Sequence, residues 1–171
     1  MKLKPAIFAA ALGLPLLLTA QNTGSLSVKA HPGRAGVFLD GKYLGPAQNF
    51  GIARTYAVPA GDHELKLVDP RFEEMTTKIT VASGKKLKVS ESLKALPEPK
   101  GPFGSIRTIH PDKFAAVYVY DKYMGHVDEF SNSSQVLQLP VGEYKVKIVP
   151  ASGPTVEQTV KLEAGKTVIV K

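Results

Sequence analysis

Residues 37–45 read VFLDGKYLG, an Asp-Gly pair set between two short apolar runs. Asp-Gly in that setting favours a two-residue hairpin turn, because both central positions need positive φ. With Asp40 and Gly41 in the turn, Leu39 is expected opposite Lys42, Phe38 opposite Tyr43 and Val37 opposite Leu44. Side chains alternate between the two faces of a strand. Val37, Leu39 and Leu44 therefore share a core face, and Phe38 and Tyr43 project together from the other. Residues 117–125, VYVYDKYMG, repeat the device 80 positions later. Val117, Val119 and Met124 take the core positions there, and Tyr118 and Tyr123 take the opposite face. Tyr120-Asp121 replaces Asp-Gly, which predicts a looser hairpin or another turn type.

The repeat extends outward from these two hairpins. GSLSV at Gly24 returns as GSIRT at Gly104, and His31-Pro32 returns as His110-Pro111. VPAGDHELKL from Val58 returns as LPVGEYKVKI from Leu139, and KITVASGKKLKV from Lys78 matches TVKLEAGKTVIV from Thr159. Between the copies lies LPEPKGPFG, residues 96–104, whose three prolines favour an extended, stiff connector. Within each copy the apolar period is two: His63, Leu65 and Leu67 against Glu64 and Lys66, then Tyr144, Val146 and Ile148 against Lys145 and Lys147. Alternation of this kind, with turn residues at short intervals and no sustained helical period, predicts an all-β chain of two tandem small antiparallel β-sandwich domains. The expected boundaries are 23–96 and 103–171, joined by a Pro-rich linker at 97–102.

The chain opens with Lys2 and Lys4, an apolar run from Ala6 to Leu18, and LTA ahead of Gln21. That is the layout of a signal peptide over residues 1–20, cleaved near Ala20. The apolar run, broken by Pro15, is shorter than the roughly 20 residues a spanning helix needs, so no transmembrane segment is expected in the mature form. Its removal takes away Lys2 and Lys4 and lowers the formal net charge from +7 to +5. The remaining charges are interspersed, with no Arg-rich stripe or zinc-finger spacing, which argues against a nucleic-acid partner. The chain contains no cysteine, so sheet pairing and apolar packing must hold it without the disulfides common in small exported domains. The expected location is periplasmic or secreted, in a bacterium.

Together GSLSVKAHPGRAGVFLDGKYLG, VPAGDHELKLV and KITVASGKKLKV resemble the PEGA domain, a small β-sandwich module of bacterial and archaeal envelope and cell-surface proteins. The second copy departs from the pattern in lacking Asp-Gly, in placing Tyr144 where the first has His63, and in having no counterpart to Phe72. The resemblance implies noncatalytic, accessory domains with no shared catalytic residues and no single ligand.

The residues agree with that implication. Gly-x-Ser-x-Gly, His-Glu-x-x-His and phosphate-loop patterns are absent. On a strand His63 points away from Asp62 and Glu64, so the three cannot form one site. Asp128-Glu129 reads as solvated loop charge, His31 and His110 as turn residues, His63 as a plug beside the Pro-Ala-Gly turn, and His126 has no evident partner. No cofactor or metal is expected. The candidate contacts are Phe38, Tyr43, Tyr118 and Tyr123, either cross-strand pairs that steady each hairpin or two aromatic patches for bivalent attachment. The function expected is that of an exported non-enzymatic binding or adaptor protein whose partner is an envelope protein or a surface polymer. The alternative is a carbohydrate-binding module in which Tyr43, Tyr56, Tyr118, Tyr120 and Tyr123 stand in for the tryptophan that the chain lacks.

Overall fold

The two halves of the chain run through the same succession of elements. In the first, β1 (Thr23–His31), β2 (Gly36–Leu39) and β3 (Lys42–Pro46) lead into a 3-10 turn (Ala47–Phe50), then β4 (Tyr56–Pro59), β5 (Gly61–Val68), β6 (Met75–Val81) and β7 (Lys86–Ser92). In the second, β8 (Phe103–Thr108), β9 (Ala116–Val119) and β10 (Lys122–His126) precede a 3-10 turn (Val127–Phe130), β11 (Leu137–Pro140), β12 (Gly142–Val149), β13 (Val156–Leu162) and β14 (Thr167–Val170). The structure is a computed structural model describing residues 22–50 and 55–171. The expected leader, residues 1–20, lies outside the described residues.

Each half forms two sheets, β4-β1-β7 with β3-β2-β5-β6, and β11-β8-β14 with β10-β9-β12-β13. Every sheet draws its strands from one half. Pairing is antiparallel except that the last strand of each half lies parallel to the first, β7 on β1 and β14 on β8. The cores fall where the period of two places them. Leu26, Val37, Leu65 and Leu67 are fully buried in the first half, and Ile106, Val117, Val146 and Ile148 in the second. Each such side chain contributes roughly 1.5–3 kcal/mol of transfer free energy.

The β2–β3 hairpin turns at Asp40 (φ 50°) and Gly41 (φ 77°), both in the left-handed region that the sequence demanded. Leu39 pairs with Lys42 and Phe38 with Tyr43 as expected, but Val37 pairs with Gly45 and not with Leu44. A β-bulge accounts for the difference: one extra residue on β3 shifts the ladder. Leu44 still packs against the core beside Val37 and Leu39. The second hairpin is not looser. Val119 pairs with Lys122, Tyr118 with Tyr123 and Val117 with Gly125, the same register with the same bulge. Tyr120 adopts the unfavourable φ of 54° and is held there. Its N–H donates to Lys145 O at 2.7 Å, and its hydroxyl donates to Glu143 O at 2.7 Å.

Candidate functional site: the seam between the halves

The aromatic side chains that alternation assigns to the outer faces meet each other. Phe38, Val68, Ala116 and Tyr123 form a third apolar cluster, flanked by Tyr43, Tyr118 and Val149. It draws on both halves and lies between the outer faces of the two hairpin sheets. The contributing positions correspond: Phe38 with Tyr118, Tyr43 with Tyr123, and Val68 with Val149. Tyr123 is the centre. Its ring lies 5.5 Å from Phe38 in an edge-on contact at 88°, 5.3 Å from Tyr43 and 5.9 Å from Tyr118. These separations fall in the favourable range for edge and tilted aromatic pairs, each worth about 0.5–1.5 kcal/mol beyond area burial. The Tyr43 and Tyr123 hydroxyls are hydrogen-bonded at 3.2 Å. Burial raises the pKa of both phenols well above the ordinary value, so both stay protonated.

Gly36 makes this approach possible. A Cβ there would sit 2.7 Å from two atoms of the Tyr123 ring, inside van der Waals contact. Phe38 and Tyr123 are 9% and 3% exposed, and Tyr43 and Tyr118 are half-buried. The four candidate contacts therefore face one another across the seam and present no pair of free patches to solvent.

A charged group borders the aromatic one. Asp69, 2% exposed, follows β5 and accepts from Arg34 Nε at 3.1 Å. It also takes Nε and Nη2 of Arg71, each at 3.1 Å. Burial pushes the Asp69 carboxyl up to about 6, with Arg34 opposing the shift and Glu129 adding to it. Glu129 belongs to the second half and lies 3.9 Å from Arg34 Nε. Its other oxygen is 2.8 Å from Nδ1 of His126, a residue 2% exposed, although that nitrogen is not aligned for a hydrogen bond. Two sequence expectations are corrected here. Glu129 is not solvated loop charge, and His126 does have a partner. The 3-10 turn Val127–Phe130 brings both about, and four residues are too few to leave a periodic signal.

Two of the remaining histidines, His63 and His110, serve turns, and His31 ends β1. His63 Nδ1 lies 2.7 Å from Asp40 Oδ2 and Nε2 lies 2.9 Å from Pro59 O, which fixes the rim of the sandwich. Hydrogen bonding to Asp40 raises the His63 pKa, and the same bond lowers that of Asp40. In the second half Tyr144 donates to Pro140 O at 2.9 Å, and its ring lies 6.1 Å from Tyr120. An Asp–His clamp in one copy is thus a Tyr–Tyr clamp in the other. Asp62 accepts from Thr80 and makes no hydrogen bond to His63, adding only the smallest of the charges that raise its pKa. His110 Nδ1 accepts the Asp112 N–H at 3.1 Å, as expected of a turn residue.

Where the halves diverge from the seam, a cleft of about 820 Å³ opens, lined by Arg71, Phe72, Pro97, Met124, Phe130 and Leu137 among others. A more polar recess of about 540 Å³ shares Arg34, Arg71 and Phe130 with it and includes His126 and Glu129. Among the described residues no helix is long and apolar enough to cross a membrane.

No curated protein matches the chain at a significant level. Among solved structures, the Bacillus anthracis TIE protein is similar at 17% identity over 88% of this chain, with a TM-score of 0.32. This chain spans 34% of that one, and a superposition so loose carries no argument. The family model that matches is that of the PEGA domain, and it covers residues 23–96, the first half from the start of β1 to the connector.

Proposed function

We propose that the protein is an exported, non-catalytic binding or adaptor protein of the cell envelope, built of two PEGA-like sandwiches of which the second is divergent. The observation that carries this reading is the seam. The side chains most suited to outward contact join the halves into one unit, and the space left for a partner is the cleft beside them. The PEGA match over residues 23–96 supports the same reading. The placement of polar side chains among the described residues is in keeping with a non-catalytic role: His63 and His110 serve turns, and Asp69 is held by two arginines. A glycan-binding reading loses three of its five tyrosines and keeps only Tyr120, exposed, and Tyr118, half-buried. Tyr43 and Tyr123 are bonded to each other, and Tyr56 stacks on Phe50 at 4.5 Å and donates to Leu44 O.

The test is expression of the full chain with a C-terminal tag, followed by crosslinking in intact cells. A mature N-terminus near Gln21 and a defined envelope protein crosslinked above an untagged control are expected. An unprocessed chain left in the cytoplasm, or retention on purified wall glycan with no protein partner, would overturn the reading.

A further inference from the structure

The two halves differ at the edge of the sandwich where β3 or β10 faces β4 or β11. In the first half Tyr56 closes that edge. It pairs with Leu26 on β1, stacks on Phe50 at 4.5 Å, and its hydroxyl donates to Leu44 O on β3 at 2.6 Å, bridging the two sheets. The second half has Leu137 at the same register, paired with Ile106, the counterpart of Leu26. A leucine has no donor to reach Met124 O, the counterpart of Leu44 O. β11 carries no ring to stack on Phe130, the counterpart of Phe50. The 820 Å³ cleft lies at this unplugged edge, and its lining includes Met124, Phe130 and Leu137.

The cleft has the shape of a strand site. Among the described residues β11 is the edge strand of its sheet, paired only with β8. Five consecutive residues, 136–140, line the cavity. Successive side chains point to opposite faces, so a lining that includes all five presents the backbone edge itself. β10, the edge strand of the other sheet, lends Lys122 and Met124 to the lining, and Arg71, Phe72 and the Pro-rich connector supply much of the rest. An open edge in a groove is what an added strand requires, and the volume is within the usual 300–1,000 Å³ range of binding sites. The charge is one-sided: Arg34, Arg71 and Lys122 line it against Glu98 as the single acid. The arginines are 39% and 48% exposed despite their bonds to Asp69.

We infer that this cleft binds an extended acidic peptide segment of a partner protein, which adds as a strand to the free edge of β11 with its carboxylates towards Arg34, Arg71 and Lys122. The inference rests on the proposed binding role and gives it a site and a ligand class. It fails independently of that role, because the crosslinking assay reports contact at any surface.

The probe is a fluorescein-labelled heptapeptide of alternating Glu and Val, followed by fluorescence anisotropy against the full chain. Saturable binding is expected, at least tenfold tighter than for the matching Lys/Val peptide or for a Glu/Val peptide N-methylated at alternate residues. Leu137→Tyr installs the plug of the first half and should weaken binding at least tenfold. Lys122→Glu, at an exposed position outside both cores, should weaken it at least threefold. Absence of saturable binding, equal binding of the N-methylated peptide, or insensitivity to Lys122→Glu overturns the inference. Displacement of the peptide by an oligogalacturonate of equal charge, at equal or higher affinity, also overturns it, since charge without strand pairing would then suffice.

Discussion

Gly36→Ala is the smallest change that tests the seam. The position has no positive φ, so alanine adds no backbone strain, and the corresponding residue of the second half is Ala116. A methyl group there is therefore compatible with the sandwich itself. Across the seam it meets the Tyr123 ring at 2.7 Å, and on its own strand the rim of the Phe38 ring at 3.1 Å. Ordinary carbon contacts are about 3.5–4.0 Å, so the Tyr123 ring has to retreat by roughly 1 Å. Tyr123 is 3% exposed and touches three other rings, which leaves it little room to move. Overpacking of this kind costs about 1–3 kcal/mol. Tyr123→Ala removes the obstacle at a cost of up to about 3–5 kcal/mol, the range for large aromatic truncations.

The assay is urea unfolding followed by tyrosine fluorescence and far-ultraviolet dichroism, on both single variants and the double variant. With the methyl group's obstacle gone, adding Gly36→Ala to Tyr123→Ala should cost less than about 0.5 kcal/mol, and the cycle should give a coupling of about 1–3 kcal/mol. Cleavage at Pro97–Pro102 by a protease should accelerate in Gly36→Ala as the joint loosens. An undiminished cost of Gly36→Ala in the Tyr123→Ala background would refute the reasoning, because the methyl group would then be clashing with something else.

Asp69 makes stability depend on pH. Its folded pKa of about 6 lies above the ordinary value of 3.8, so the folded state binds this proton more tightly than the unfolded state. The stability contributed by this group is full below about pH 4, falls as pH rises towards 6, and is level above that. Asp69→Asn should remove that slope in urea titrations between pH 4 and 7. His63 acts in the same direction for a different reason, a hydrogen-bonding partner in place of burial. Asp40 raises its pKa, so the charged clamp is present below the ordinary histidine value and is lost as pH rises through the raised one. Asp40→Asn should lower the His63 midpoint measured by NMR. The clamp should also be transferable: Tyr120→Asp with Tyr144→His should fold and give the introduced imidazole a midpoint above about 6.5, whereas Tyr144→His alone should not.

Much of the fold was legible because it depends on local chemistry. Asp40-Gly41 dictated its turn, and the period of two along His63–Leu67 and Tyr144–Ile148 separated core from exterior correctly. The bulge at Leu44 was not legible, since an extra residue leaves the alternation of each strand intact and changes only which residues lie opposite. Nor was the parallel pairing of β7 on β1, because strand patterns carry no direction. Tyr120-Asp121 predicted a weaker turn than the one formed; the hydrogen bonds that hold it, to Glu143 O and Lys145 O, come from a strand more than twenty residues away. The site was half legible. Alternation correctly put Phe38, Tyr43, Tyr118 and Tyr123 on the faces away from the cores, but a face excluded from one core can still be covered by another body. Gly36 was the missed signal: a glycine in a strand with no turn to make marks a close approach.

The duplication explains why so small a joint holds. Corresponding positions of the two hairpins form both sides of the seam, so one outward aromatic pair, copied, supplies a surface and its complement. The copies then differ where a symmetric joint would fail. One carries Gly36 and the other Ala116, which seats Tyr123 at the centre while Tyr43 stays at the margin. The connector does the rest. A short tether holds the faces at an effective concentration of roughly millimolar, so a contact too weak to join separate chains at micromolar concentration closes readily within one chain. The second half has Leu137 where the first has the Tyr56 plug, and its edge strand lies beside this joint. Arg71, Phe72, Pro97 and Pro99 line the same cleft as β11, so the strand inferred to bind there has to fit against them.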